Sequence, residues 1–331
     1  MCFHYDVDSS GSVAEAAHLC SRGIKVNVLV SNSNAHTLKE AYGKIPGATE
    51  NLTVRPLLLR SRDLSVERMN KLMAFSDKGG TVPLYMEVIQ RILRKMAVEH
   101  HGQHFDYSAF KRQLALENLD ARSQTGPMNL RLALLESFLL PSSIKGKKGS
   151  GSTVVDPIPG TLTVIDLSDP FVDAPTVCVL FDICLSLIKE RRPECGLVIA
   201  LDEAHKYMDS STAATNFTAR LLTTIREQRH NATRVYIATQ EPTISEKLLD
   251  LCSVSIVHRF SSPSWFHAIK DHLGGASSMT TTAEEQNVMF QRIVSLQVGE
   301  NLVFSPSSYV RMEDGRPKKL ASGVMNMKTR I

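Results

Sequence analysis

Leu197-Val198-Ile199-Ala200-Leu201-Asp202-Glu203-Ala204-His205 is the stretch on which the reading of the fold turns. Its continuous apolar run reads as a strand buried on both faces, as the strands of a parallel sheet are. The two acids that end it stand where α/β sheets bind ligands, because the buried strand fixes the carboxylates at its C-terminal edge. Asp202 is placed to hold Mg²⁺ through water, since this cation takes carboxylate and phosphate oxygens. Glu203 is placed to orient and polarise a water that attacks a phosphoryl group. The plainer alternative is an ordinary strand followed by an aspartate helix cap. The complete string of apolar residues, two acids, alanine and histidine favours the chemistry.

This pattern is a Walker B motif, and its neighbourhood extends it. Arg234 to Ala238 reads as the next strand, and Ala238-Thr239-Gln240 ends it with a polar pair. Such a pair can reach a γ-phosphate and the water held by Glu203. Between the two strands, Ile225-Arg226-Glu227-Gln228-Arg229-His230 closes a helix expected over 212–229. Arg226 and Arg229 are three apart and share a face of it. Either arginine can serve a neighbouring subunit's nucleotide, where it would stabilise transition-state charge. The alternative is a favourable placement of cations at a helix C-terminus. Asp166, in Ile165-Asp166-Leu167-Ser168, also ends a strand with an acid, either facing the same cleft or capping the next loop. Asp6 and Asp8 share that geometry. His205 is expected to pack locally or to couple to the polar pair. His100, His101 and His104 lie on a polar stretch and do not read as a metal site.

The rest of the chain alternates strand and helix, which predicts a parallel α/β sheet. Strands are expected at 25–31, 51–59, 162–167, 197–201, 234–238, 255–260 and, last, 301–304, with Pro56 pushing its strand to an edge. Helices are expected at 38–42, 177–189, 212–229, 244–251, 265–273 and 283–296. From 64 to 140 the periodicity is helical throughout, strongest at 82–98, 107–118 and 127–140, which predicts an all-helical insertion. The domain reading is therefore an N-terminal part of the core (1–62), a helical insertion (63–140), a flexible Gly/Ser/Lys loop (141–160), the remainder of the core (161–312) and a solvated basic tail (313–331).

Of the 331 residues, 43% are hydrophobic and 22% charged, with net charge +4. That balance excludes a disordered chain and is too weakly basic to argue nucleic-acid binding by itself. The six cysteines form no CxxC pair and none lies near a histidine at zinc-finger spacing. They read as reduced, buried thiols of an intracellular protein, in cytoplasm or nucleus. No secretory signal is expected, and no apolar stretch reaches membrane-spanning length, so no membrane partner is expected.

The glycine-rich phosphate loop GxxxxGK[ST] occurs nowhere in the sequence. Gly146-Lys147-Lys148-Gly149-Ser150-Gly151-Ser152 has no lysine after its last glycine and precedes a strand where such a loop must follow one.

The ordered series 160–168, 197–208, 225–230, 235–244, 255–273 and 299–304 resembles the HerA/FtsK division of P-loop ATPases, the HerA-like branch most closely. The resemblance covers about 150 residues well and the first 60 loosely. It implies a RecA-like P-loop NTPase core with a parallel sheet flanked by helices, a hexameric homo-oligomeric ring, Mg-ATP as cofactor, and DNA movement or remodelling coupled to hydrolysis. By the same resemblance Asp202 and Glu203 are the Walker B acids, with Asp202 on Mg²⁺ through water. Gln240 is the polar sensor beside Thr239, and Arg226 or Arg229 the trans-acting arginine. In that family the Walker A strand and helix come directly before the strand ending near Asp6, so a truncated ATPase, inactive alone, is expected. A degenerate, non-catalytic scaffold or ring subunit is the alternative. Lys145, Lys147 and Lys148 are the candidate DNA contacts besides the tail. A superfamily 2 helicase is disfavoured, because no Ser-Ala-Thr motif follows the DEAH letters.

Overall fold

The computed structural model describes residues 19–20, 22–45, 50–73, 84–99, 105–117, 125–141, 155–242, 244–273, 282–313, 316–321 and 323–329. They form two compact units. The first comprises the described residues up to Leu197 together with Ser210–Arg220; the second comprises Val198–Asp209 and the described residues from Leu221 on.

The first unit is organised by strand β1 (Lys25–Val30). The chain enters it from a helix end. There Gly23, at φ +76, donates to the Cys20 carbonyl at 2.9 Å while Ile24 donates to that of Leu19 at 3.1 Å. This is the Schellman pattern, whose left-handed residue is usually glycine because it bears no Cβ. β1 is the middle strand of a parallel sheet of order β2–β1–β3, with β2 at Leu52–Pro56 and β3 at Thr161–Asp166. Val28 pairs with Val54 on one side and Val164 on the other. Val26, Val28 and Val30 pack on Leu38 and Tyr42 of helix α1 (Ala35–Gly43) and on Ile45. Leu29, on the opposite face, is buried as well. A central parallel strand is covered on both faces, and each such side chain contributes about 1.5–3 kcal/mol by burial. Pro56 lies on the edge strand, where its missing N–H leaves no ladder bond unmade.

Between β2 and β3 the described residues form helices α2 (Val66–Met73), α3 (Leu84–Glu99), α4 (Tyr107–Ala115) and α5 (Gly126–Ser137). On α3 the buried residues Tyr85, Met86, Ile89, Ile92, Leu93 and Met96 recur at three- and four-residue steps, one apolar stripe. Asp106 caps α4 by accepting from the Ser108 and Ala109 amides. The stretch is not purely helical: Leu59 and Leu139 form a parallel bridge, which ties the segment after β2 to the end of α5. Helix α6 (Ala174–Glu190) begins at the Asp173 cap and is buried on most of its surface. It carries Asp182, almost fully buried, which accepts from Lys71 of α2 at 3.0 Å and pairs with Arg220. Asp63, wholly buried, accepts from the Arg60 amide at 2.8 Å and pairs with Arg191, which also bonds Asp156 at 3.1 Å.

The second unit contains β4 (Leu197–Leu201, all but its first residue), which pairs with β5 (Thr233–Ile237). It also contains an antiparallel sheet of order β10–β7–β6, with β6 at Ser255–His258, β7 at Glu300–Phe304 and β10 at Met325–Lys328. The last residues of helix α7 (Thr212–Arg226), from Leu221 on, precede β5 in this unit, and α8 (Glu246–Leu251) follows it. Helices α9 (Pro263–Ile269) and α10 (Ala283–Val294) supply Phe266, Met289 and Ile293 to a core with Val257, Leu302 and Phe304. Thr282 and Glu285 form a reciprocal capping box at the start of α10. Strands β8 (Tyr309–Glu313) and β9 (Arg316–Lys319) make a hairpin, with the Lys319 ammonium 5.5 Å from the Tyr309 ring centre.

Several expectations are corrected here. β4 is not buried on both faces: Val198 is 65% exposed and Ala200 is exposed too. The reason is that β4 and β5 form a sheet of their own, on which Tyr236 is 62% exposed as well. Phe304 does not end the last strand, and 313–331 is not a purely solvated tail. Met325–Lys328 is held by antiparallel pairing to Glu300–Val303, and Arg316–Lys319 by pairing to β8. Cys195 and Cys252 are exposed, whereas Cys20, Cys178 and Cys184 are buried. Asp6, Asp8, His100, His101, His104, the loop lysines 145, 147 and 148, and Cys2 lie outside the described residues.

Candidate active site at the ends of β4 and β5

The C-terminal ends of β4 and β5 lie side by side. The Ala238 amide donates to the Leu201 carbonyl at 2.8 Å, and the Ala204 amide donates back to the Ala238 carbonyl at 3.0 Å. Between those two bonds the chain turns sharply at Glu203, whose φ of +52 and ψ of 42 are left-handed. For a residue with a Cβ that conformation costs about 1–2 kcal/mol. It is held because Ala204, at 0% exposure, anchors the 3₁₀ turn Ala204–Tyr207 that follows. Strain of this kind concentrates at functional sites.

The Glu203 carboxylate is engaged at both oxygens. The Gln240 amide donates from Nε2 to Oε1 at 2.8 Å. On the other side Lys206 Nζ lies 3.4 Å from Oε2 and His205 Nε2 lies 3.6 Å from it. His205 Nδ1 is 3.2 Å from Thr239 Oγ1, and the Thr239 hydroxyl donates to the Glu241 carbonyl at 2.7 Å. The carboxylate of Asp202 is partly buried and has no hydrogen bond or ion pair among the described residues. A carboxylate left open beside a held one suits a hard cation that keeps several of its waters.

Glu203, Gln240, Thr239 and His205 are therefore brought together, with Asp202 adjacent in the chain. Arg226 and Arg229 are not joined to them by any hydrogen bond or ion pair among the described residues. Nor do the two share a helix face. Arg226 is the last residue of α7, and Arg229 lies in the turn beyond it. Bonds from the Asn231 amide to Glu227 and from the Thr233 amide to Gln228 close that turn and carry the chain into β5. Both arginines are exposed. Asp166 caps rather than faces a cleft: Oδ1 accepts from the Ser168 amide at 3.1 Å and Oδ2 from the Tyr42 hydroxyl at 2.8 Å.

Two features escaped the sequence reading. Lys206 was not singled out, although its i, i+3 spacing from Glu203 on a turn is a signal for the contact. Asp169, buried at the end of β3, accepts from the Ser31 and Ser33 hydroxyls beyond β1 and from the Phe171 amide at 2.8 Å. Burial pushes its carboxyl up, but these donors outweigh that and hold it below its ordinary value. No metal-holding cluster of His, Cys, Asp or Glu occurs among the described residues, and no helix among them is long and apolar enough to cross a membrane.

No family model matches the chain, and no curated protein matches it. Among solved structures, that of VirB4 of Thermoanaerobacter pseudethanolicus matches with a TM-score of 0.53 at 12% identity, over 94% of this chain and 83% of that one. At that identity the likeness is one of fold. This is a mixed α/β protein with a parallel sheet flanked by helices, and it shares its fold with that structure.

Proposed function

We propose that the ends of β4 and β5 are the water-activating part of a Mg-ATP hydrolysis site, in an ATPase resembling the HerA-like branch. The observation that carries this reading is the Gln240–Glu203 contact at 2.8 Å. It unites the acid of one strand end with the polar residue of the next, as a device that activates water and senses phosphate requires. In this reading Asp202 holds Mg²⁺ through water and Glu203 takes the proton of the attacking water. Gln240 and Thr239 register the γ-phosphate. Bound Mg²⁺ would neutralise phosphate charge. Arg226 or Arg229, exposed and unpaired among the described residues, serves a neighbouring subunit of a hexameric ring. The helices within 63–140 form the insertion of such a motor, and DNA is the substrate moved or remodelled.

Glu203→Gln tests the reading in a longer chain that carries a phosphate loop and turns over ATP. It keeps the side-chain shape but cannot take a proton, so ATP turnover is expected to fall about 10²–10⁴-fold. Turnover equal to wild type rejects the assignment. The alternative reading, a non-catalytic ring subunit, differs in that the chain would not take up Mg-ATP. Titration calorimetry with Mg-ATP separates the two: heat of binding supports the enzyme, and a folded chain that gives none supports the subunit.

A further inference from the structure

We propose that His205 is a positioning residue that couples Thr239 to Glu203, so that the tip of β5 holds the Glu203 carboxylate by two arms. The inference rests on the reading of Glu203 as the water-activating acid and adds a means of regulating it. The first arm is direct, from Gln240 Nε2 to Oε1 at 2.8 Å. The second runs from Thr239 through the His205 ring to Oε2, with spacings of 3.2 and 3.6 Å.

Hydrogen-bond accounting gives the second arm its sense. The Thr239 hydroxyl has one proton and donates it to the Glu241 carbonyl at 2.7 Å. Toward His205 it can therefore only accept, so Nδ1 carries a proton. Nε2 then faces Oε2 from 3.6 Å, so the ring spans the gap between the Thr239 hydroxyl and the Glu203 carboxylate. Lys206 Nζ, 3.4 Å from the same oxygen, is the cation facing it. It is 58% exposed, so water screens it, whereas the His205 side chain is 14% exposed.

Both arms start from consecutive residues of one strand end. A ligand that draws Thr239 or Gln240 toward itself loosens both holds on Glu203 in one movement. The acid is then freed to meet its water only when the ligand is in place. The left-handed turn at Glu203 suits this role, because a side chain held in a costly backbone conformation depends on the partners that keep it there.

The test uses the full chain with ¹⁵N-labelled histidine, the His205 ring signals being assigned by their loss in His205→Asn. Thr239→Val is expected to shift the Nδ1 resonance and Glu203→Gln the Nε2 resonance, with the melting temperature of each variant confirming the fold. Ring nitrogens that stay put in both variants overturn the inference, whether or not the chain turns over ATP. In turnover assays of the longer chain that carries a phosphate loop, His205→Ala is expected to lower kcat about tenfold with little change in KM, the usual scale for a residue that orients an active group. His205→Gln, whose amide reaches toward the Nε2 position, is expected to recover more of kcat than His205→Asn. Equal activity of His205→Ala and wild type, alongside an inactive Glu203→Gln, overturns the coupling while leaving the function intact. An active Glu203→Gln removes the function itself.

Discussion

Replacing Asp63 by alanine tests how the first unit is held together. Its carboxylate is completely buried, accepts from the Arg60 amide at 2.8 Å, pairs with Arg191 and has Arg60 Nε at 3.6 Å. Removing one partner of a buried ion pair costs about 3–5 kcal/mol, because the other charge is left uncompensated. Here the guanidinium keeps Asp156 at 3.1 Å, and Arg191 and Asp156 are 26% and 38% exposed, so water can reach them. That places the loss at the lower end, about 3 kcal/mol. For a unit of this size it corresponds to a fall of roughly 6–12 °C in Tm. Urea unfolding followed by circular dichroism measures it, with an unchanged m-value showing that stability alone has moved. A cycle with Arg191→Met isolates the pair, whose coupling is expected at about 1.5–3 kcal/mol. If Asp63→Ala lies within about 0.5 kcal/mol of wild type, as surface substitutions do, the reasoning is refuted.

Three further outcomes are expected. Asp169 has a depressed folded pKa, so the unfolded chain binds the extra proton, and the stability it contributes is present above the ordinary value of 3.8 and lost as pH falls through the folded one. Ser31→Ala with Ser33→Ala should therefore make the acid limb of the stability curve shallower in pH-dependent urea titrations; an unchanged limb contradicts it. The Cys184 thiol, pushed up to about 12 by burial, should resist maleimide until the chain unfolds, whereas exposed Cys195 should label at once; mass spectrometry of the labelled peptides distinguishes them. Arg226→Ala should leave stability within about 0.5 kcal/mol of wild type, since the side chain is exposed and unpaired among the described residues. If Arg226 acts on a neighbour's nucleotide, the same variant in a longer chain that carries a phosphate loop should lower ATP turnover about 10³-fold or more, and an assay that finds no loss passes the role to Arg229.

How much was legible in the sequence depended on the range of the interaction involved. Apolar runs and helical periodicity are local, and they placed β1, β3, β4, β5 and the helices from α3 to α7 within a few residues of where they lie. Pro56 announced an edge strand because its missing N–H is a property of one residue. The pair of acids after an apolar strand marked a candidate site for a similar reason, as strand direction alone fixes which end carries them. Partnership is not local. That Gln240 reaches Glu203, 37 residues earlier, depends on β5 lying beside β4 with their ends level. That α7 stops at Arg226, so that Arg229 leaves its face, depends on the turn bonds to Gln228 and Glu227. Polar residues such as Lys328 read as tail because their pattern lacks an apolar period, yet pairing with β7 makes them a strand. Sequence by itself therefore determined the kinds of element and singled out the candidate acids. Only the tertiary structure decided which side chains hold those acids, which strand faces stay exposed and where buried charges find partners, since each is set by contacts between residues far apart in the chain.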